Sequence, residues 1–271
     1  MGVLFAMKIF LTSLLAVVFL VVLYLGQSHW NQQLQASAKN KPINQDSTST
    51  LNDKITENQE LLKLTSNWPE SAVDQLKHSL QEDKPFTILF TGSPAIGSET
   101  DGSFPLIKEQ LIKAFGEEHI HVELKTFDST STQLLNQKKQ AEIAAVNADL
   151  IIFEPFILMN NGEVLIKDTL KNTTKIIEGI QANKPETSFI LQPAYPLYQA
   201  KIYPRQVAEL KKYAQDHELP YLDHWSSWPD SNKAELKDYF QPDLSTPNEK
   251  GNQVWSQYIL QFLTNGTSGS E

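Results

Sequence analysis

The chain has 271 residues, 40% of them hydrophobic, with 23 Lys and Arg against 32 Asp and Glu and no cysteine. That length suits one ordinary globular domain plus accessory segments, and the composition excludes collagen-like, disulfide-stapled and wholly disordered chains. A formal charge of -9 repels phosphate backbones, so nucleic acid is not an expected partner, and without thiols any covalent catalysis must use oxygen or nitrogen.

The first element in chain order is an apolar run, Ile9 to Leu25, preceded by Lys8 and followed by no further charge until Lys39. At about 1.5 Å of rise per residue, this run with its flanks crosses a hydrocarbon core of roughly 30 Å. Residues 1–26 are therefore expected to be an uncleaved signal anchor. Lys8 marks the cytoplasmic side, which places the rest of a single-pass cell-membrane protein outside the cytoplasm. The small-residue site Ala36-Ser37-Ala38 lies too far beyond the run to fit signal-peptide cleavage.

Residues 27–53 are rich in Gln, Asn, Ser, Thr and Lys. Too few large apolar side chains are present to order them, so they read as a disordered polar spacer. Residues 54–84 form a helical lead-in, with Leu61, Leu62 and Leu64 and then Val73, Leu76 and Leu80 at helical spacing, interrupted at Trp68-Pro69.

From residue 85 to 263, short apolar runs alternate with amphipathic stretches, the signature of repeated β-α units on a parallel sheet. Strands are expected at Thr87 to Thr91, Val122 to Phe127, Leu150 to Phe153, Phe189 to Gln192 and Tyr221 to Leu222. Helices are expected at Pro105 to Phe115, Thr132 to Val146, Val164 to Ala182, Pro204 to His217 and Pro247 to Leu263. The result is a three-layer α/β/α sandwich around a five-stranded parallel sheet of flavodoxin-like type, ending in a loose tail, 264–271. Ligands in such sheets bind where the strands end, so the loops after each strand are where chemistry belongs.

Gly92-Ser93-Pro94 follows the first strand directly. Gly92 and Gly97 have the spacing of a phosphate loop, but Ser98-Glu99 stand where Lys and then Ser or Thr are required, so a nucleotide cofactor is not expected. Ser93 reads either as a nucleophile on a tight strand-to-helix turn or as the cap of that turn. His119, His121 and Glu123 share one face of the second strand, but a solvated strand end is the stronger reading and no metal site is expected.

The last informative block runs from Tyr221-Leu222-Asp223-His224-Trp225 to Pro242-Asp243-Leu244-Ser245-Thr246-Pro247-Asn248, and on through Gly251 to Trp255. Its Asp, Pro-Asn, Gly and Trp spacing ahead of a final amphipathic helix resembles the closing block of the SGNH/GDSL hydrolases. The resemblance extends over about 85–263, in the same block order. It implies an α/β esterase fold, a serine after strand one, an Asp and His in the closing block, and acyl-ester substrates such as acylated cell-envelope glycans. The departures are specific. The family's Gly-Asp-Ser is Gly92-Ser93-Pro94 here, so proline takes the nucleophile's place. Thr246, read instead as the cap of a helix starting at Pro247, takes the histidine's. The second-block glycine has no counterpart between Lys125 and Gln133.

Two readings are open. In the first, Ser93 is a displaced nucleophile, His224 transfers its proton with Asp243 or Asp223 orienting the ring, and Asn160 or Asn161 helps hold the oxyanion, with Glu154 and Tyr195 lining the crevice. In the second, the same fold is catalytically inactive and binds a glycan or a protein through the crevice, helped by Tyr195, Tyr198, Tyr203, Trp225 and Trp228. For these aromatics the competing role is core packing.

Overall fold

The computed structural model describes residues 45–266, with side chains from residue 54 onward. The expected membrane anchor, most of the spacer and the end of the tail lie outside the described residues. Among the described residues, no helix is long and apolar enough to cross a membrane.

Helix α1 (Gln45–Leu64) begins inside the stretch read as disordered. That stretch from Gln45 onward contains no Pro or Gly, so nothing in it interrupts the helix that Leu61 anchors in the core. Trp68-Pro69 ends the lead-in turn, and α2 (Glu70–Glu82) follows. The Trp68 indole donates to the Leu263 carbonyl at 2.9 Å, tying the lead-in to the last helix.

The sheet has four parallel strands, β1 (Phe86–Gly92), β2 (Ile120–Thr126), β3 (Leu150–Phe153) and β4 (Ser188–Leu191), in the order β2-β1-β3-β4. The expected fifth strand is reduced to one parallel bridge, Leu191 to Tyr221. It is held by two backbone bonds, Leu191 N to Pro220 O at 2.9 Å and Leu222 N to Leu191 O at 2.8 Å. Pro220 has no N–H to extend the ladder backward, and the chain turns into a 3-10 helix, His224–Ser227, immediately afterward.

The central strands are buried on both faces, so they read as continuous apolar runs. Ile88, Phe90, Ile152 and Ile190 face a core closed by α2, α3 (Phe104–Phe115) and α9 (Glu249–Leu263). Leu89, Ile151, Phe153 and Phe189 face the opposite core, closed by α5 (Gln140–Ala144), α7 (Ile166–Gln181) and α8 (Tyr203–Asp216). This alternation makes the three layers. One expected helix is subdivided, α4 (Ser131–Asn136) being separated from α5 by Lys138 at φ 56°, and an additional single turn, α6 (Ile157–Asn160), precedes α7.

Strand order reverses between β1 and β3, because the chain leaves β1 for one neighbour and later returns to the other. The crevice of a doubly wound sheet opens at that switch point, beyond the carboxyl ends of the two strands. Gly92 and Glu154 stand there side by side. A Cβ at Gly92 would lie 2.3 Å from the Glu154 carbonyl oxygen, and the glycine holds φ 148°. Only glycine lets the two strand ends approach so closely.

Candidate active-site rim

Ser93 follows Gly92 and is buried, 1% exposed. Its backbone N–H donates to Glu154 Oε2 at 2.9 Å. Its hydroxyl accepts weakly from the Ala95 amide at 3.4 Å, capping the one-turn 3-10 helix Pro94–Ile96, in which Pro94 takes the first position. The other carboxylate oxygen, Glu154 Oε1, accepts from the Ile157 amide at 3.1 Å. Glu154 is 2% exposed. Burial pushes its carboxyl above the usual carboxylate range, opposed by hydrogen bonds from the Ser93 hydroxyl and from neighbouring amides. An amide that an acyl-transfer site would offer to a developing oxyanion is therefore held by the protein's own carboxylate.

His224 is fully buried. Its Nε2–H donates to the Pro193 carbonyl at 3.0 Å, and its Nδ1 accepts from the Trp228 indole at 3.1 Å. The ring stacks on Trp255 with centroids 4.8 Å apart and planes within 14°. Desolvation pushes its pKa down to about 4, so at neutral pH the ring is neutral with both nitrogens engaged. The expected bond from Ser93 to His224 is not formed.

Neither candidate orienting acid bonds the ring. Asp223 pairs with Lys211 Nζ at 2.6 Å. Asp243 is exposed and accepts from the Ser245 amide at 3.0 Å and the Ser245 hydroxyl at 2.7 Å, closing a turn. Those two bonds hold its carboxyl below the usual range. Tyr195 meets that same turn from the inside, its hydroxyl donating to the Ser245 carbonyl at 2.9 Å.

Asn160, 1% exposed, is a structural junction. Its Oδ1 accepts from the Ser131 amide at 3.0 Å, and its Nδ2 donates to Ser131 Oγ and Thr169 Oγ1, each at 2.9 Å. These bonds join α4, α6 and α7, so its amide is committed within the fold. Asn161 is partly exposed and ends α6.

The closing block also differs from expectation. Thr246 is exposed and does not cap a helix; α9 starts at Glu249 with Asn248 as its cap, accepting from the Gly251 amide at 3.2 Å. The Asn248 Nδ2 also donates to the Asp238 and Phe240 carbonyls at 3.0 and 2.9 Å. This explains why asparagine rather than threonine serves: its amide bonds two carbonyls that a hydroxyl could not reach together. Gly251 has no room for a Cβ, which would lie 2.3 Å from the Tyr239 carbonyl.

The aromatics considered as sugar platforms are largely core. Tyr203 is fully buried, and Tyr195 and Trp228 are buried at 6% and 7% exposure. Trp225, partly exposed, packs against Tyr203, and the Tyr198 ring carries the Lys237 ammonium 4.4 Å from its centroid. His119, His121 and Glu123 do not converge. His121 pairs with Glu123 at 3.1 Å, whereas His119 lies near Glu57 and Glu118. That trio, two exposed glutamates and a half-buried histidine, is the one grouping of metal-capable side chains among the described residues.

Sequence reasoning missed two partners. Gln192 Oε1 accepts from the Trp255 indole at 3.1 Å, beneath His224, and Ser131 anchors Asn160. A Gln at the end of an apolar strand was the legible signal for the first; the second depends on loop placement alone.

Comparison with solved structures identifies the fold. A protein assigned as a GDSL-like lipase from Parabacteroides merdae superposes with a TM-score of 0.56 at 12% identity, covering 68% of this chain and 98% of its own. An acylhydrolase from Bacteroides fragilis gives 0.51 at 20% identity, covering 74% and 99%. A variant of an acetyl-xylooligosaccharide esterase from Geobacillus gives 0.50 at 15% identity, covering 69% and 97%. The chain thus has the fold of the SGNH/GDSL hydrolases. No protein-family model matches the sequence, and no curated protein matches it.

Proposed function

We propose that this protein is a catalytically silent SGNH-fold binding module, held at the outer face of a cell membrane by its N-terminal apolar segment, with a cell-surface glycan as its ligand class. The observation that carries this reading is His224: with one nitrogen donating to Pro193 and the other accepting from Trp228, it is not placed to take a proton from a serine. Pro94 in the nucleophile's place and a Ser93 amide held by Glu154 support the same conclusion. The glycan is suggested by the acetyl-xylooligosaccharide esterase among the similar folds and by the polar loops at the carboxyl ends of the strands.

The test uses the full chain in lipid nanodiscs. Fluorophosphonate labelling and acetate release from a simple acetyl ester are expected to match those of Ser93→Ala and of empty discs. Labelling that disappears in Ser93→Ala would restore the alternative, an esterase or deacetylase acting on acylated glycans.

A further inference from the structure

Two exposed aliphatic side chains stand at neighbouring helix starts. The N-cap of a helix favours Ser, Thr, Asp or Asn, whose oxygen accepts from a free first-turn amide; Leu and Ile are among the poorest choices. Leu165 occupies the N-cap of α7 and Ile202 that of α8, and neither helix start has a side-chain cap bond. These two are also the most exposed large aliphatics among the described residues, at 64% and 63%. Leu165, whose backbone is extended, thus forgoes a capping bond that a polar side chain could make, and both residues expose apolar surface with no gain inside the fold. Both line one cavity of about 540 Å³ at the starts of α7 and α8.

Most of that cavity's surface is apolar, from Val164, Leu165, Ile166 and Ile202, with Arg205 and Glu209 also on its wall. Gln206 Oε1 is buried at its edge without a hydrogen-bond partner and so lacks a donor. A second cavity, of about 570 Å³, adjoins it and shares the Glu163-Val164-Leu165 wall. The second one is polar, lined by Thr130, Thr132, Asp168, Lys171 and Lys175; the two threonine hydroxyls already accept from the Gln133 amide and the Asn172 side chain and keep their own hydrogens to donate. Donors and acceptors of both signs are mixed there, which suits neutral polyol hydroxyls better than a single charged group.

We infer that the two cavities form one bipartite site for an amphiphilic glycan, its aliphatic chain lying on Leu165 and Ile202 and its sugar in the Thr130 to Lys175 compartment. The inference rests on the glycan-binding reading above and adds to it that a chain longer than acetyl is recognised. The apolar cavity is of a size that takes a small ligand, and each buried methylene adds affinity.

The experiment measures binding of methyl β-glucoside and of octyl β-glucoside, the latter below its micelle-forming concentration, to the full chain in nanodiscs, referenced to empty discs. Octyl β-glucoside is expected to bind at least tenfold more tightly. Ile202→Asp should abolish that difference, with an unchanged far-ultraviolet circular dichroism spectrum showing that the variant is folded. Equal affinity for the two glucosides, or a chain preference that survives Ile202→Asp, overturns the bipartite site. In that event, measurable binding of both glucosides leaves the glycan reading standing, whereas no binding of either removes both.

Discussion

The switch point between β1 and β3 and the closing block after β4 are the two regions where an SGNH hydrolase would keep its reacting groups, and here they are stabilised by different means. At the switch point a buried carboxylate is held by backbone amides around a glycine that cannot be enlarged. In the closing block a neutral imidazole is wedged between Trp228 and Trp255. The first depends on charge-accepting geometry, the second on aromatic packing and an intact tautomer. Each has turned polar groups of potential chemical use inward, to serve the fold.

Backbone clearance gives the sharpest break in that comparison. Gly92→Ala and Gly251→Ala each drive a Cβ to 2.3 Å from a carbonyl oxygen, with φ strain added at Gly92. Both should cost about 3 kcal/mol or more in denaturant titrations. Equal losses would show that both regions tolerate no backbone shift.

Next in size is the acid limb of stability. The folded His224 pKa is about 4 against an ordinary histidine value of 6.5, so the unfolded chain takes up the proton first and acid favours unfolding. Stability should fall by about 3 kcal/mol as pH drops from 6.5 to 4, at about 1.4 kcal/mol per pH unit. In His224→Gln this loss should disappear from the urea midpoint profile, on a lower overall stability.

Glu154 should show the opposite slope. Its folded pKa lies above the usual value, so its contribution is complete below about 4.5 and is lost as pH rises through the folded value. Glu154→Gln should flatten that part of the profile. Glu154→Ala leaves the Ser93 and Ile157 amides without an acceptor and should cost about 2 to 3 kcal/mol. If the alanine variant is as stable as the wild type, the carboxylate is not what holds the strand ends together. The smallest effect is expected at Asp243, whose bonds stay within an exposed turn: Asp243→Ala should leave the melting temperature unchanged within error.

Much of the scaffold was legible because burial on two faces imposes continuous apolar runs. Ile88 to Phe90 and Leu150 to Phe153 could be read as central strands for that reason. Tyr221-Leu222 looked equally suitable, but at a sheet edge the extent of pairing depends on the path of the next residues, and the turn at His224 leaves one bridge. Residue types at the site were legible too; their partners were not. Asn160 or Asn161 was an expected oxyanion ligand through the resemblance to the SGNH/GDSL hydrolases, yet the Asn160 donors meet Ser131 and Thr169, side chains brought to it by α4 and α7.

A layered α/β domain and the absence of thiol chemistry were readable along the chain, because they depend on residue identity and on periodicity. Three further facts came from the folded chain alone: the Ser93 amide meets Glu154, His224 stacks on Trp255, and Leu165 and Ile202 share a cavity. Each joins residues far apart in sequence, and hydrogen-bond reach of about 3 Å is settled by packing rather than by spacing.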